Sequence, residues 1–272
     1  MEEKNVNFEE LGISKKVLSA LSAMGFEAPS PIQRETIPHV LGGKDIIGQA
    51  QTGTGKTAAF GIPLVEKVTP DKVVQALVLT PTRELAIQVA EEISNIGKGK
   101  RVRVLPVYGG QPIDRQIRAI RAGAQIVIGT PGRLLDHIRR QTLRLDKVQM
   151  VVMDEADEML DMGFVEDIES ILSHTPEESR QTLLFSATMP AAIASLAKRY
   201  MKDPFTVTIS REQLTVPAIE QFYYETRDKL EALCRVLDLE ETGKSIVFCR
   251  TKKGVDDLVA SLQTRGYLVD GL

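Results

Sequence analysis

The sequence predicts an open α/β layered domain. Short, almost wholly apolar runs at 45–48, Ala76–Leu79, 102–105, 126–128, Met150–Met153 and 182–185 alternate with helix-length amphipathic stretches such as Arg83–Ile96, 114–121 and 191–201. Strands apolar at every position are buried on both faces, as in parallel sheets covered by helices. Regular alternation of strand and helix builds such a layered sheet.

This first domain runs to about Val207, and a shorter series follows it. Residues 219–226 read as strand, Lys229–Leu239 as helix, 245–248 as strand and 255–264 as helix, with the start of another strand at 269–272. A length of 272 residues, at about 150 residues per domain, also favours two domains. The second series is short for an independent α/β domain and reads as one cut short.

Composition narrows the class. With 43% hydrophobic and 26% charged residues, the chain is ordinary for a globular protein, which excludes collagen-like and wholly disordered classes. No apolar run approaches the roughly 18 to 20 residues of a membrane span, and the polar start Met-Glu-Glu-Lys-Asn lacks a signal-peptide core. Two cysteines, Cys234 and Cys249, provide neither a disulfide framework nor a cysteine metal cluster. The scattered His39, His137 and His174 are expected at the surface or lightly buried. Together these features predict a soluble, cytoplasmic protein.

The net charge of -3 conceals a strong asymmetry. Residues 95–145 hold eleven Lys and Arg against Asp114 and Asp136, a net +9, whereas residues 146–181 hold eleven acids and two bases, a net -9. Such blocks form either solvated faces or a phosphate-backbone groove beside a metal site.

The strongest motif follows the first strand. Ala50-Gln51-Thr52-Gly53-Thr54-Gly55-Lys56-Thr57, leading into helix-forming Ala58-Ala59-Phe60, is a phosphate loop with alanine in place of its first glycine. The glycines let successive N–H groups converge on phosphate oxygens, and the helix N-terminus adds partial positive charge. Lys56 is positioned for the β and γ phosphates of a nucleoside triphosphate, and the Thr57 hydroxyl for Mg²⁺. The strand Met150–Met153 ends in Asp154-Glu155-Ala156-Asp157. Asp154 is expected to hold Mg²⁺, through water because that ion dehydrates reluctantly, and Glu155 to orient and deprotonate the attacking water.

With these residues in place, the chain resembles the bacterial DEAD-box ATP-dependent RNA helicases, whose naming motif stands at Asp154 to Asp157. Gly25-Phe26-Glu27-Ala28-Pro29-Ser30-Pro31-Ile32-Gln33 resembles the family's adenine-reading Q motif, with its upstream aromatic at Phe8. Ala50 is the family's own form of the phosphate loop. Pro81-Thr82-Arg83, Gly109-Gly110 and Thr130-Pro131-Gly132-Arg133 resemble its RNA-backbone motifs, and Ser186-Ala187-Thr188 the motif that couples hydrolysis to strand separation. Ser245-Ile246-Val247-Phe248-Cys249 resembles the first motif of the second domain.

The resemblance implies a RecA-like P-loop domain with a mostly parallel sheet sandwiched by helices over 1–207, including a Q motif at 8–33. A linker and a truncated second RecA-like domain follow over 208–272. It implies an RNA-stimulated ATPase that unwinds or remodels RNA duplexes, with ATP as substrate and Mg²⁺ as cofactor. RNA would be held by its backbone, largely without regard to sequence, and protein partners would belong to RNA decay or ribosome assembly.

Gln33 is placed to read adenine bidentately, and Phe8 either to stack on the base or to plug the core. Gln51, Thr52, Gly53, Thr54, Gly55, Lys56 and Thr57 would surround the phosphates. Lys56, Asp154 and Glu155 are the expected catalytic residues, with Thr57 and Asp154 on the metal. Asp157 joins Ser186 and Thr188 in coupling. Family arginine fingers lie in the second domain beyond the motifs present here, so this chain is expected to bind nucleotide and turn it over poorly. Two alternatives stay open: a DNA helicase or translocase of the same superfamily, and a non-catalytic RNA-binding module.

Overall fold

The computed structural model describes residues 6–209, 222–239 and 244–271. The chain divides into two compact units, Met1–Thr215 and Val216–Leu272.

The first unit is built on seven strands: β1 (Ile46–Gln49), β2 (Ala76–Leu79), β3 (Val104–Val107), β4 (Ile126–Gly129), β5 (Met150–Met153), β6 (Gln181–Ser186) and β7 (Phe205–Thr208). All pairings are parallel, and the spatial order is β3-β4-β2-β5-β6-β1-β7. The expected mostly parallel sheet is thus entirely parallel. Every residue of β2, β4, β5 and β6 is buried, as the apolar runs of the first three require, and β6 also buries the polar Gln181, Thr182 and Ser186.

Alternate residues feed opposite faces. Ala76 and Val78 join one apolar cluster, and Leu77 and Leu79 the other. The first cluster takes its helical side chains from α1 (Lys15–Ala23), α2 (Pro31–Leu41), α3 (Lys56–Lys67) and α4 (Arg83–Ile96), including Leu21, Ile37, Phe60 and Ile93. The second draws on α6 (Pro131–Arg139), α7 (Ala156–Asp161), α8 (Val165–Leu172) and α9 (Ala191–Tyr200), including Leu134, Met159, Ile168 and Ile193. The remaining helix, α5 (Ile113–Arg121), links β3 to β4 and carries Gln116 as its buried residue.

Two features of the sheet differ from the sequence reading. β3 begins two residues later than the apolar run at 102–105, because Arg101 adopts a left-handed φ of 58° that turns the chain before extension begins. β7 is an added edge strand whose exposed alternate residues lack a continuous apolar signal.

In the second unit, α10 (Lys229–Leu239) and α11 (Lys252–Thr264) form as expected, with Thr251 capping α11 by accepting from the Gly254 N–H at 3.0 Å. The expected strand at 245–248 is not formed, and residues 222–226 and 269–271 are likewise outside any strand. Residues 219–221 and 272 lie outside the described residues. An extended segment becomes a strand only when a neighbouring strand pairs with it in a ladder, and residues 222–226, 245–248 and 269–271 belong to no ladder among the described residues.

Candidate nucleotide and RNA site

Because the strands run in parallel, the loops following β1, β2, β3, β4, β5 and β6 all emerge at one edge of the sheet. Open α/β sheets bind ligands at this carboxyl edge. Every motif of the first unit from the phosphate loop onward starts there.

Ala50 directly follows β1, is buried, and donates its N–H to Ser186 O at 3.1 Å. Gly53 and Gly55 both adopt positive φ, at 81° and 93°, curling the chain into the N-terminus of α3. The Thr54 hydroxyl closes the turn by donating to Gln51 O at 2.9 Å. Lys56 begins α3, and nine of that helix's twelve residues are buried, so the loop is anchored to the core by its own helix.

The acidic motif meets this loop through a buried ion pair. Lys56 Nζ donates to Glu155 Oε1 at 2.9 Å, although the two residues are 99 positions apart in sequence. Glu155 caps α7 with a left-handed φ of 51°, unusual for a residue other than glycine. Asp154 is 2% exposed and accepts the Glu155 N–H at 3.1 Å. Burial pushes its carboxyl up to about 7, opposed by Lys56 and reinforced by the negative charges of Glu155 and Glu92.

A buried carboxylate under this strain fits a divalent cation, and the Thr57 hydroxyl and Asp154 are the hard oxygen donors Mg²⁺ takes. Among the described residues no cluster of three or more His, Cys, Asp and Glu forms a metal cage. Glu92 on α4 was not anticipated: burial raises its pKa, and a hydrogen bond with Thr57 opposes that rise.

The Q-motif residues contact the phosphate loop directly. Ser30 caps α2 in a reciprocal box with Gln33, whose Oε1 accepts the Ser30 N–H at 2.9 Å. Gln33 Nε2 donates to Gly55 O at 3.1 Å, and the Ser30 hydroxyl to Thr54 O at 2.8 Å. Gln33 therefore keeps one N–H and one oxygen lone pair for another partner. The Phe8 ring is buried in the core and sits edge-on to Phe26 at 6.0 Å between centroids.

Asp157 on α7 is tied to the loop after β6. Its Oδ2 accepts from both the N–H and hydroxyl of Thr188 at 2.8 Å, and its own N–H donates to Ser186 Oγ at 3.2 Å. Burial raises the Asp157 pKa, but these hydrogen bonds outweigh it and leave the carboxyl below its ordinary value.

The remaining loops share one network. Pro81 is buried, and Thr82 caps α4 by accepting the Leu85 N–H at 3.2 Å. The exposed Arg83 guanidinium lies over the Tyr108 ring at 5.1 Å, immediately before the exposed Gly109 and Gly110. Thr130 donates its N–H to Val107 O, Pro131 opens α6 and Gly132 is exposed. Arg133 Nη1 donates to Gln111 O at 3.1 Å and to Gln116 Oε1 at 3.3 Å, and Gln116 Nε2 donates to Tyr108 O at 3.0 Å.

Behind them sits His137, which corrects the expectation of surface or lightly buried histidines: it is 0% exposed. Its Nε2 meets Gln116 Oε1 at 2.9 Å and its Nδ1 meets Thr142 Oγ1 at 2.8 Å. In a neutral ring with its proton on Nε2, that N–H donates to Gln116 Oε1, and the one Thr142 hydroxyl proton is shared between Nδ1 and the His137 carbonyl at 3.1 Å. Tyr108, Gln111, Gln116 and His137 were missed from sequence, because an isolated Gln or His carries no periodic signal until the fold brings it to a motif.

This sheet, phosphate loop and acid-ended strand define a RecA-like P-loop domain, and the chain belongs to the DEAD/DEAH box helicase family, whose profile matches residues 30–196. Among its relatives is the DEAD-box ATP-dependent RNA helicase CshA of Geobacillus kaustophilus, 58% identical over 268 residues, which cover 97% of this chain and 57% of that protein. The protein of the same name from Bacillus subtilis is 56% identical over 270 residues, 98% of this chain and 54% of the relative. The fold also matches the crystal structure of a DEAD box protein from the hyperthermophile Methanococcus jannaschii with a TM-score of 0.74 and 45% identity, covering 98% of this chain and 72% of that one. The chain spans about half the length of the curated relatives it matches.

Proposed function

We propose that this chain is the nucleotide-binding part of an ATP-dependent RNA helicase, an RNA-stimulated ATPase that unwinds or remodels RNA duplexes. The observation that carries the reading is the buried Lys56–Glu155 ion pair, which joins a phosphate loop to an acid-ended strand. Relatives named DEAD-box ATP-dependent RNA helicase support it.

ATP enters with its phosphates on the backbone of 51–55 and the N-terminus of α3. Its charge draws Lys56 away from Glu155, and the released carboxylate orients and deprotonates the attacking water. Thr57 and Asp154 would hold Mg²⁺, which when bound neutralises charge growing on the phosphate oxygens. Gln33 reads adenine with the amide groups it has left, and Phe8 flanks the base. Asp157, Ser186 and Thr188 couple the acid strand to the loop after β6.

RNA lies across Pro81, Thr82, Arg83, Gly109, Gly110, Thr130, Pro131, Gly132 and Arg133, held by phosphate and sugar rather than by base edges. Residues 1–207 act as the ATP-binding domain, and 208–272 as a linker and part of a second RecA-like domain. Arginine fingers are worth about 10³ to 10⁵ in rate, so a chain of half its relatives' length binds nucleotide and turns it over slowly. The protein acts in the cytoplasm with partners in RNA decay or ribosome assembly; among the described residues no helix is long and apolar enough to cross a membrane.

The test is ATPase activity of the full-length protein with RNA and with DNA of the same sequence, since RNA alone offers 2′-hydroxyls. Stimulation by RNA only, lost in Lys56→Ala, is the expected result. Equal stimulation by DNA would transfer the site to a DNA translocase.

A further inference from the structure

The parallel sheet divides the basic stretch 95–145 between two opposite edges. Gly109, Gly110, Thr130 and Arg133 follow β3 and β4, at the edge that carries the nucleotide loops. Arg101 and Arg103 precede β3, Arg121 precedes β4 and Arg144 precedes β5, so these residues lie at the other edge. The motif loops therefore account for only part of the +9 charge.

The opposite edge has two clefts that share Lys72. One, of about 420 Å³, is lined by Lys16, Lys72, Lys100, Arg101 and Arg103, with no acid. The other, of about 370 Å³, adds Arg121, Arg144 and Lys147, with Asp146 as its one acid. Among the described residues only Lys100 of these bases is ion-paired, to Glu66 at 3.1 Å.

Backbone geometry builds this grouping. The left-handed turn at Arg101 precedes β3, and Gly123, at φ 97°, brings the turn before β4 against Lys72. A Cβ on Gly123 would lie 2.7 Å from Lys72 Cβ, so only glycine lets the two segments approach.

Like charges crowded in concave clefts repel one another, and a polyanion relieves that repulsion while releasing its own condensed counterions. No aromatic side chain lines either cleft, so bases have nothing to stack on and phosphates are the groups recognised. A concave surface admits a strand, whereas a membrane is flat. We infer that this edge is a second RNA-binding surface, which takes the phosphodiester backbone of RNA extending beyond the segment held at the motif loops. The choice of RNA rests on the function proposed above.

The experiment is fluorescence anisotropy of the full 272-residue chain and its triple variant Lys72→Glu, Arg101→Glu, Arg103→Glu, measured across a salt series. All three side chains are exposed, and calorimetric ATP binding checks that the variant is folded. One RNA is about 8 nucleotides, long enough only for the motif loops, and the other is a hairpin of about 30 nucleotides with a single-stranded tail. The variant should bind the long RNA at least about tenfold more weakly, with a salt slope smaller by about three, one per phosphate contact. Its affinity for the short RNA should fall far less.

Equal affinity and slope of the two proteins on the long RNA would overturn the inference, as would no binding of that RNA by the wild type. A loss confined to vesicles of anionic phospholipid would replace RNA with a membrane surface. Arg133→Ala on the short RNA tests the motif loops separately. If that variant bound normally while the triple variant still lost the long RNA, the motif assignment would fail and this edge would stand.

Discussion

The side-chain amide of Gln33 donates to the backbone carbonyl of Gly55 at 3.1 Å, tying the start of α2 to the last loop residue before Lys56. The adenine recognition proposed for Gln33 and the shape of the phosphate loop would thus meet in one side chain. Gly55 cannot be replaced freely: its φ is 93°, and a Cβ there would fall 2.4 Å from Gln33 Nε2.

Gln33→Ala removes both roles, so ATP affinity should drop about tenfold, the worth of one or two lost hydrogen bonds. The ratio of ATP to GTP affinity should fall toward one. Gly55→Ala should weaken both nucleotides through backbone strain of about 1–3 kcal/mol and, because its Cβ pushes the Gln33 amide aside, should lower that ratio as well, with a larger loss of GTP affinity than in Gln33→Ala. Calorimetry with the two nucleotides separates the variants. A ratio unaltered in Gln33→Ala would leave Gln33 as a support for the loop alone.

Glu155→Gln keeps the shape of the residue but removes the proposed base and the charge that pairs with Lys56. In the full-length protein, turnover should fall by about 10² or more while ATP binds as tightly as in wild type or more tightly. Lys56→Ala should abolish binding. If Glu155→Gln lost ATP binding as badly as Lys56→Ala does, Glu155 would be a metal ligand and its role would exchange with that of Asp154.

Protonation of His137 opposes folding. Burial, then the Arg133 charge, lowers its pKa from the ordinary 6.5. The unfolded chain therefore binds a proton more readily than the folded one. The contribution of His137 is complete above about pH 6.5 and is lost as pH falls toward the lower folded value. His137→Gln should flatten the fall in Tm between about pH 7 and 5, and His137→Ala, which leaves Gln116 short of a partner, should cost about 1–3 kcal/mol. RNA affinity should weaken in His137→Ala with ATP affinity intact, a split that general destabilisation would not produce.

The second unit should open locally at low cost. Tyr223, Ile246 and Phe248 are exposed, Phe248 at 92%, and the buried side chains among its described residues are Cys234 and Leu262. Amides of α10 and α11 should exchange far faster than those of β2 and β5, each of whose residues is buried. Equal protection in hydrogen exchange would show that these helices unfold only with the first unit.

The sequence by itself determined the features written in local order. The apolar runs of β2 and β5 and the amphipathic period of α4 have the limits the sequence predicts, because burial on both faces or on one stripe leaves a direct pattern in the residues. The phosphate loop and the acidic motif were equally legible, since their chemistry depends on neighbours in the chain. β7 and the absent strand at 245–248 were not: pairing depends on what lies alongside, which no segment encodes alone. Only the tertiary structure brought Lys56 to Glu155, enclosed His137 behind Arg133 and Gln116, and split one basic stretch between two edges of the sheet. The first joins residues 99 positions apart and the last parts near neighbours, and parallel strand order, not local sequence, sets which residues meet.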